Sequence, residues 1–98
     1  MPEKFDLRLS VVAEADLAAL YEYGLVHWGE RKADEYYDAL IGHLDRLCEN
    51  PFLYAPVEEI RPGYRRSVCG VHAIYYRVMR DSVEVMAVIG MQDMQRHI

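Results

Sequence analysis

Residues 64–90 read YRRSVCGVHAIYYRVMRDSVEVMAVIG, and the period of the side chains in this stretch decides the fold. Successive side chains of a strand point to opposite faces, so a half-buried strand alternates with period two. Residues 64–68 form a short strand by this criterion, and Cys69-Gly70 is a turn. In 71–80, Val71, Ala73, Tyr75, Arg77 and Met79 share one face, and His72, Ile74, Tyr76, Val78 and Arg80 share the other. Asp81-Ser82 is the two-residue turn expected of a hairpin. Residues 83–89 alternate again, with Val83, Val85, Ala87 and Ile89 against Glu84, Met86 and Val88, until Gly90 breaks the run. Three consecutive strands with short turns predict an antiparallel meander.

Upstream the period changes. Residues 51–63 carry Pro51, Pro56, Pro62 and Gly63 and read as a loop with Glu58 and Glu59 exposed. Before it, Ala33, Tyr37, Leu40, Leu44, Leu47 and Cys48 form one helical stripe over about 30–49, flanked by Tyr36 and Ile41 and stopped at Asn50-Pro51. An earlier stripe of Leu17, Leu20, Tyr21, Gly24, Leu25 and Trp28 predicts another helix, with Ser10 as N-cap, Glu14 and Asp16 near its positive end and Gly29 as the break. The two helices form a hairpin. Phe5, Leu7 and Leu9 alternate with Asp6, Arg8 and Ser10 in an opening strand. The order strand, helix, helix, strand, strand, strand predicts an α+β domain in which the helical hairpin packs on the sheet meander, with residues 91–98 as a short C-terminal helix or tail.

A chain of 98 residues is expected to form a single domain spanning 1–98, with one modest core. Neither a secretory leader nor an 18-residue apolar run is seen, so a cytoplasmic location with no membrane partner is expected. Residues 1–60 carry 5 basic and 13 acidic side chains, net −8, whereas 61–98 carry 6 basic and 3 acidic, net +3. All six cations of the second half are arginines: Arg61, Arg65, Arg66, Arg77, Arg80 and Arg96. Arginine is the cation suited to desolvated pairing with carboxylate or phosphate, so this bias points to an interface.

His27, His43, His72 and His97 are scattered over four elements, Cys48 and Cys69 add no ligand spacing, and no glycine-rich phosphate loop or GxSxG turn is present. Neither a metal nor a cofactor is expected. The cluster Tyr64-Arg65-Arg66 with Tyr75, Tyr76 and Arg77 is the one candidate patch. Arg65 and Arg66 must face opposite ways. A cationic aromatic patch there suits RNA or an acidic protein segment, and core tyrosines with snorkelling arginines are the structural alternative.

Several stretches together resemble the ParE branch of the RelE/ParE toxin superfamily, over essentially the whole chain. They are the opening strand with Ala13-Glu14-Ala15-Asp16-Leu17, Tyr21 before Trp28-Gly29, Tyr36-Tyr37 in a helix ending at Asn50-Pro51, Arg61-Pro62-Gly63-Tyr64-Arg65-Arg66, Gly70-Val71-His72, Tyr75-Tyr76-Arg77-Val78, and a Met- and Gln-bearing tail closing on Arg96-His97. The resemblance implies a toxin that inhibits DNA gyrase and forms a hetero-oligomer with a ParD-like antitoxin. The RelE branch implies instead a ribosome-dependent mRNA endonuclease, and a non-toxic, antitoxin-binding relic is the third alternative. RNA cleavage needs a general acid, a general base and cationic stabilisation. Val88-Ile89-Gly90-Met91 ends the last strand with no proton-transfer group, and the net acidic charge suits neither ribosomal RNA nor sequence-specific nucleic-acid binding. No catalytic residue is therefore expected. On this reading Arg61, Tyr64, Arg65, Arg66 and Arg77 contact the antitoxin. Met91, Gln92, Met94, Gln95, Arg96 and His97 contact the target, with Met91, Met94 and Ile98 forming an adaptable apolar stripe.

Overall fold

The computed structural model describes residues 4–90, in the order β1 (Asp6–Leu9), α1 (Val11–His27), α2 (Glu30–Glu49), β2 (Tyr64–Cys69), β3 (His72–Val78) and β4 (Ser82–Gly90). The meander is present as β2–β3–β4, with both pairings antiparallel. β1 adds to β4 in parallel, so the sheet is mixed and its order is β1-β4-β3-β2. The helical hairpin covers one face. The main core lies between the layers: Ala13, Leu17 and Leu20 from α1, Leu40, Leu44, Leu47 and Cys48 from α2, and Phe5, Ile74, Tyr76, Val83, Val85 and Val88 from the sheet side.

Helix α1 begins where the sequence indicates. The Ser10 hydroxyl accepts a hydrogen bond from the Ala13 N–H at 3.0 Å, an N-cap interaction that fills one of the orphan donors of the first turn. Its buried line is Ala13, Leu17, Leu20 and Gly24. Leu25 and Trp28, expected on that stripe, are exposed. Leu25 stands about 80° round the helix from Leu17, and Trp28 lies past the end of the helix, against Tyr23 and Tyr36. Phe5, just before β1, and Leu9 reach the core, but Leu7 on the sheet edge is exposed.

The face assignment of β4 is corrected by a bulge. The register slips between Tyr75 and Tyr76, which pair with Ala87 and Val85, so Met86 is the extra residue. An inserted residue reverses the alternation beyond it. Val83, Val85 and Val88 therefore face the helices, while Ala87 and Ile89 join Val57, Tyr64, Ala73 and Tyr75 in a second cluster on the outer face. The groups freed by the bulge are taken up by the start of α1. Ser10 Oγ donates to the Met86 carbonyl at 3.0 Å, and the Val88 N–H donates to Asp16 Oδ2 at 2.9 Å. Asp16 thus serves the sheet, not the helix dipole alone.

Two boundaries also shift. β3 stops at Val78 and β4 starts at Ser82, so Met79-Arg80-Asp81 make the connection in place of Asp81-Ser82, closed by Met79 N–H donating to the Ser82 carbonyl at 2.8 Å. The segment 51–63 is no free loop. Arg66 N–H donates to Ala55, Val57 N–H donates to Tyr64, and Pro56 bridges to Arg65, so this segment runs along the β2 edge and blunts it. No helix among the described residues is long and apolar enough to cross a membrane.

Candidate partner-binding surface

Strand alternation sorts the sheet arginines. Tyr64 pairs with Arg77 and Arg66 with Tyr75, so these four share the outer face, away from the helices. Arg66 and Arg77 are exposed, Tyr64 is half-buried and Tyr75 is buried in the outer cluster. Arg77 is not a bare cation: its Nε and Nη2 both lie on Glu84 Oε1, at 2.7 and 2.6 Å across the β3–β4 pair. An exposed pair of this kind contributes little to stability and can exchange partners at small cost. Arg61, in the turn before β2, is exposed, and its carbonyl accepts from the Tyr64 N–H.

Arg65 is separated from this group. It faces the other way, pairs with Tyr76, and its Nη1 donates to the Tyr54 carbonyl at 2.6 Å. Its guanidinium also stands 5.2 Å from the Phe52 ring centre, a cation–π contact. The structure therefore brings Tyr64, Arg66 and Arg77 together, with Arg61 nearby in sequence, and uses Arg65 to pin the 51–54 segment. Of the expected target-binding residues, Met91, Gln92, Met94, Gln95, Arg96 and His97 all lie outside the described residues.

One polar couple was not legible in the sequence. Tyr36 of α2 reaches over the β2–β3 turn, its hydroxyl 2.7 Å from His72 Nδ1 and 3.3 Å from the Cys69 carbonyl, while the Val71 N–H donates to it at 3.1 Å. Burial pushes the Tyr36 phenol up, against the Val71 N–H, whose donation favours the phenolate and pulls the other way. His72 pairs with Gly90 across the β3–β4 ladder, so an imidazole does stand beside the strand end that has no proton-transfer group of its own. It shares the helix-covered face with Tyr36. Residues Arg66 and Arg77 are on the opposite face. No group of three or more His, Cys, Asp or Glu among the described residues is placed to hold a metal.

With this layout in place, the comparison with known proteins is decisive. The family model described as ParE toxin of type II toxin-antitoxin system, parDE, matches residues 7–94. The chain belongs to the ParE toxin family. It is thus a ParE-type toxin of a type II toxin–antitoxin system. Toxin ParE1 of Caulobacter vibrioides is 38% identical over 71 residues, covering 72% of this chain and 74% of that protein. Toxin ParE1 of Mycobacterium tuberculosis is 34% identical over 82 residues, covering 83% of this chain and 84% of its own length. Among solved structures, a chain of the chromosomal ParDE system from P. aeruginosa superposes with a TM-score of 0.78 at 20% identity, covering 91% of this chain and 98% of that one. A chain of the toxin–antitoxin complex RelBE2 from Mycobacterium tuberculosis gives 0.70 at 16% identity, covering 92% and 94%. The fold is therefore common to both branches of the superfamily.

This ParE-type toxin also holds a buried polar pair that its scattered histidines did not announce. His43 Nε2 lies 2.6 Å from the Ser67 hydroxyl, and both residues are buried. Burial, with the Arg46 charge adding to it, pushes the imidazole below its usual value of 6.5. The unfolded chain then binds the proton more readily than the folded one. Stability is full above pH 6.5, and falls as pH drops through 6.5 toward the lower folded value. Replacing His43 by Gln should flatten this acid limb, as read from urea midpoints between pH 7 and 5. An unchanged limb would assign it to the carboxylates instead.

Proposed function

We propose that this ParE-type toxin stops growth by gripping DNA gyrase, without chemistry of its own, and is neutralised by a ParD-like antitoxin. The observation that carries this reading is the separation of the site residues. Cleavage of RNA needs a cation at the phosphorane and a proton-transfer couple on the same side. The exposed arginines Arg66 and Arg77 stand on the outer face, whereas the Tyr36–His72 couple stands on the helix side with its hydroxyl already engaged three ways. A binding poison requires no such convergence.

The antitoxin is assigned the outer face. Its apolar positions, Val68 and the partly exposed Ala87 and Ile89, adjoin Tyr64, Arg66 and Arg77, and Arg61 flanks them. An acidic and apolar segment fits this mixture, with a carboxylate taking Arg77 from Glu84. The target is assigned Met91, Gln92, Met94, Gln95, Arg96 and His97.

Induced expression without the neighbouring gene's product should filament the cells, raise the SOS response and trap cleaved gyrase–DNA complexes, while protein synthesis continues. A chain lacking residues 94–98 should still bind the antitoxin, yet lose toxicity. An immediate fall in translation with positioned mRNA cuts, abolished by His72→Ala, would replace this reading by the ribonuclease. Growth without any arrest would leave an antitoxin-binding relic.

A further inference from the structure

A second surface feature lies on the hairpin, on the opposite side of the sheet from the arginine face. A groove of about 380 Å³ opens between the helices, lined by Leu17, Ala18, Tyr21, Asp34, Tyr37 and Asp38. Its floor is apolar, because Leu17 is buried in the main core. Its walls are two tyrosine rings, 5.4 Å between centroids and inclined at 67°. Its rim is acidic. Glu30, Asp34 and Asp38 follow one another at four-residue intervals along α2, and all three carboxylates act on the Tyr21 phenol. Carboxylates at this spacing repel each other and weaken the helix. No basic residue lines the groove. Tyr21 donates its hydroxyl to Asp34 Oδ1, which fixes one wall. The Asp38 carboxylate and the Tyr37 hydroxyl have no hydrogen-bond partner among the described residues.

We infer that this groove is a socket for an arginine side chain of the antitoxin segment that crosses the helical hairpin, held between the Tyr21 and Tyr37 rings and against Asp34 and Asp38. Two aromatic faces attract a cation through their quadrupoles, and a guanidinium stacks on such rings while bonding a carboxylate with its edge. An ammonium fits less well, because it is a compact, strongly hydrated charge. A small metal ion is disfavoured by the apolar floor, which offers no further oxygen ligands. The socket rests on the reading that an antitoxin covers the toxin, and it adds a requirement. The partner must be acidic where it meets Arg66 and Arg77 and basic where it crosses α1 and α2. Such two-signed complementarity fixes the direction in which the segment wraps, and rejects segments of uniform charge.

The test uses the full chain and three capped tripeptides, Ala-Arg-Ala, Ala-Lys-Ala and Ala-Glu-Ala, followed by the NMR signals of the Tyr21 and Tyr37 rings. The arginine peptide should shift both rings, the lysine peptide less, and the glutamate peptide not at all. Asp38→Asn, an exposed helical change that leaves the fold intact, should weaken the arginine peptide about tenfold. Tyr37→Leu should remove the response. Equal shifts from all three peptides, silent rings, or an unchanged response in Asp38→Asn would overturn the socket. With the neighbouring gene's product, the double change Asp34→Asn/Asp38→Asn should weaken the complex by tenfold or more. A complex of undiminished affinity overturns the socket and leaves the antitoxin reading standing. If no complex forms with the unmodified chain, the antitoxin reading falls, and the peptide titration still decides the groove.

Discussion

Tyr76→Ala should cost about 3–5 kcal/mol, the range for truncating a fully buried aromatic ring. A domain of this size is stable by roughly 5–15 kcal/mol, so the change removes about a fifth of that stability or more. The ring is 0% exposed at the centre of β3, opposite Val85 and beneath the helices. Its hydroxyl donates to the Pro51 carbonyl at 2.7 Å, which ties the start of the α2–β2 connection to the core. Tyr76→Phe separates the two contributions. It keeps the ring and strips the Pro51 carbonyl of its donor, for a cost of about 1–3 kcal/mol. Burial pushes the Tyr76 phenol up to about 12, from 10.0. The folded state therefore holds this proton more tightly than the unfolded chain. Stability from this source is full below pH 10 and is lost between pH 10 and 12, by about 3 kcal/mol. The Phe variant should lack that alkaline loss. Urea unfolding at neutral pH measures the two mutational costs, and at pH 11 it should show about half of the alkaline loss. A Tyr76→Ala protein with a nearly unchanged midpoint would show that the core does not depend on this ring.

Gly70→Ala should cost about 2–4 kcal/mol, from two sources that a control can separate. The first is backbone. Gly70 has φ of +59°, the left-handed region in which a side chain costs about 1–2 kcal/mol. The second is contact. A Cβ at this position would stand 2.7 Å from the Tyr36 hydroxyl and 2.8 Å from Cε1 of the same ring. Tyr36 has little room to retreat, because Trp28 packs edge-on against it at 5.3 Å. Moving the ring breaks its hydrogen bonds to His72 and the Val71 N–H, and with them the pin that holds the β2–β3 turn to α2. Gly63→Ala is the control. Gly63 also has positive φ, +82°, but nothing lies within 4 Å of the added carbon, so only the backbone cost of about 1–2 kcal/mol should appear. In a double-mutant cycle, Tyr36→Leu should recover the contact part of the Gly70→Ala loss. Equal costs at positions 63 and 70 would mean that Tyr36 does not constrain the turn.

The sequence by itself determined the elements, the apolar stripes of the helices and the fold class, because these depend on short-range periodicity. Alternation put Ile74 with Tyr76 on one face of their strand and Val83 with Val85 on one face of theirs, helical spacing marked Leu17, Leu20, Leu40, Leu44 and Leu47, and Ser10 and Asn50-Pro51 marked helix ends. It also required Arg65 and Arg66 to part, since neighbours on a strand cannot share a face. Only the tertiary structure decided what depends on contacts between distant segments. The bulge at Met86 follows from no local signal, because its cost is met by Ser10 and Asp16 more than seventy residues away. The parallel docking of β1 on β4 is likewise set by the layers between them. Partners of single polar groups were equally hidden: Arg65 with the Tyr54 carbonyl, Arg77 with Glu84, His43 with Ser67, and Tyr36 with His72. The hairpin groove belongs to the same class, for Tyr21 and Tyr37 are core-stripe residues in the sequence and become walls of an opening only when α1 and α2 are brought together. Periodicity tells each residue which way to face, and the packing of distant segments tells it what it will meet there.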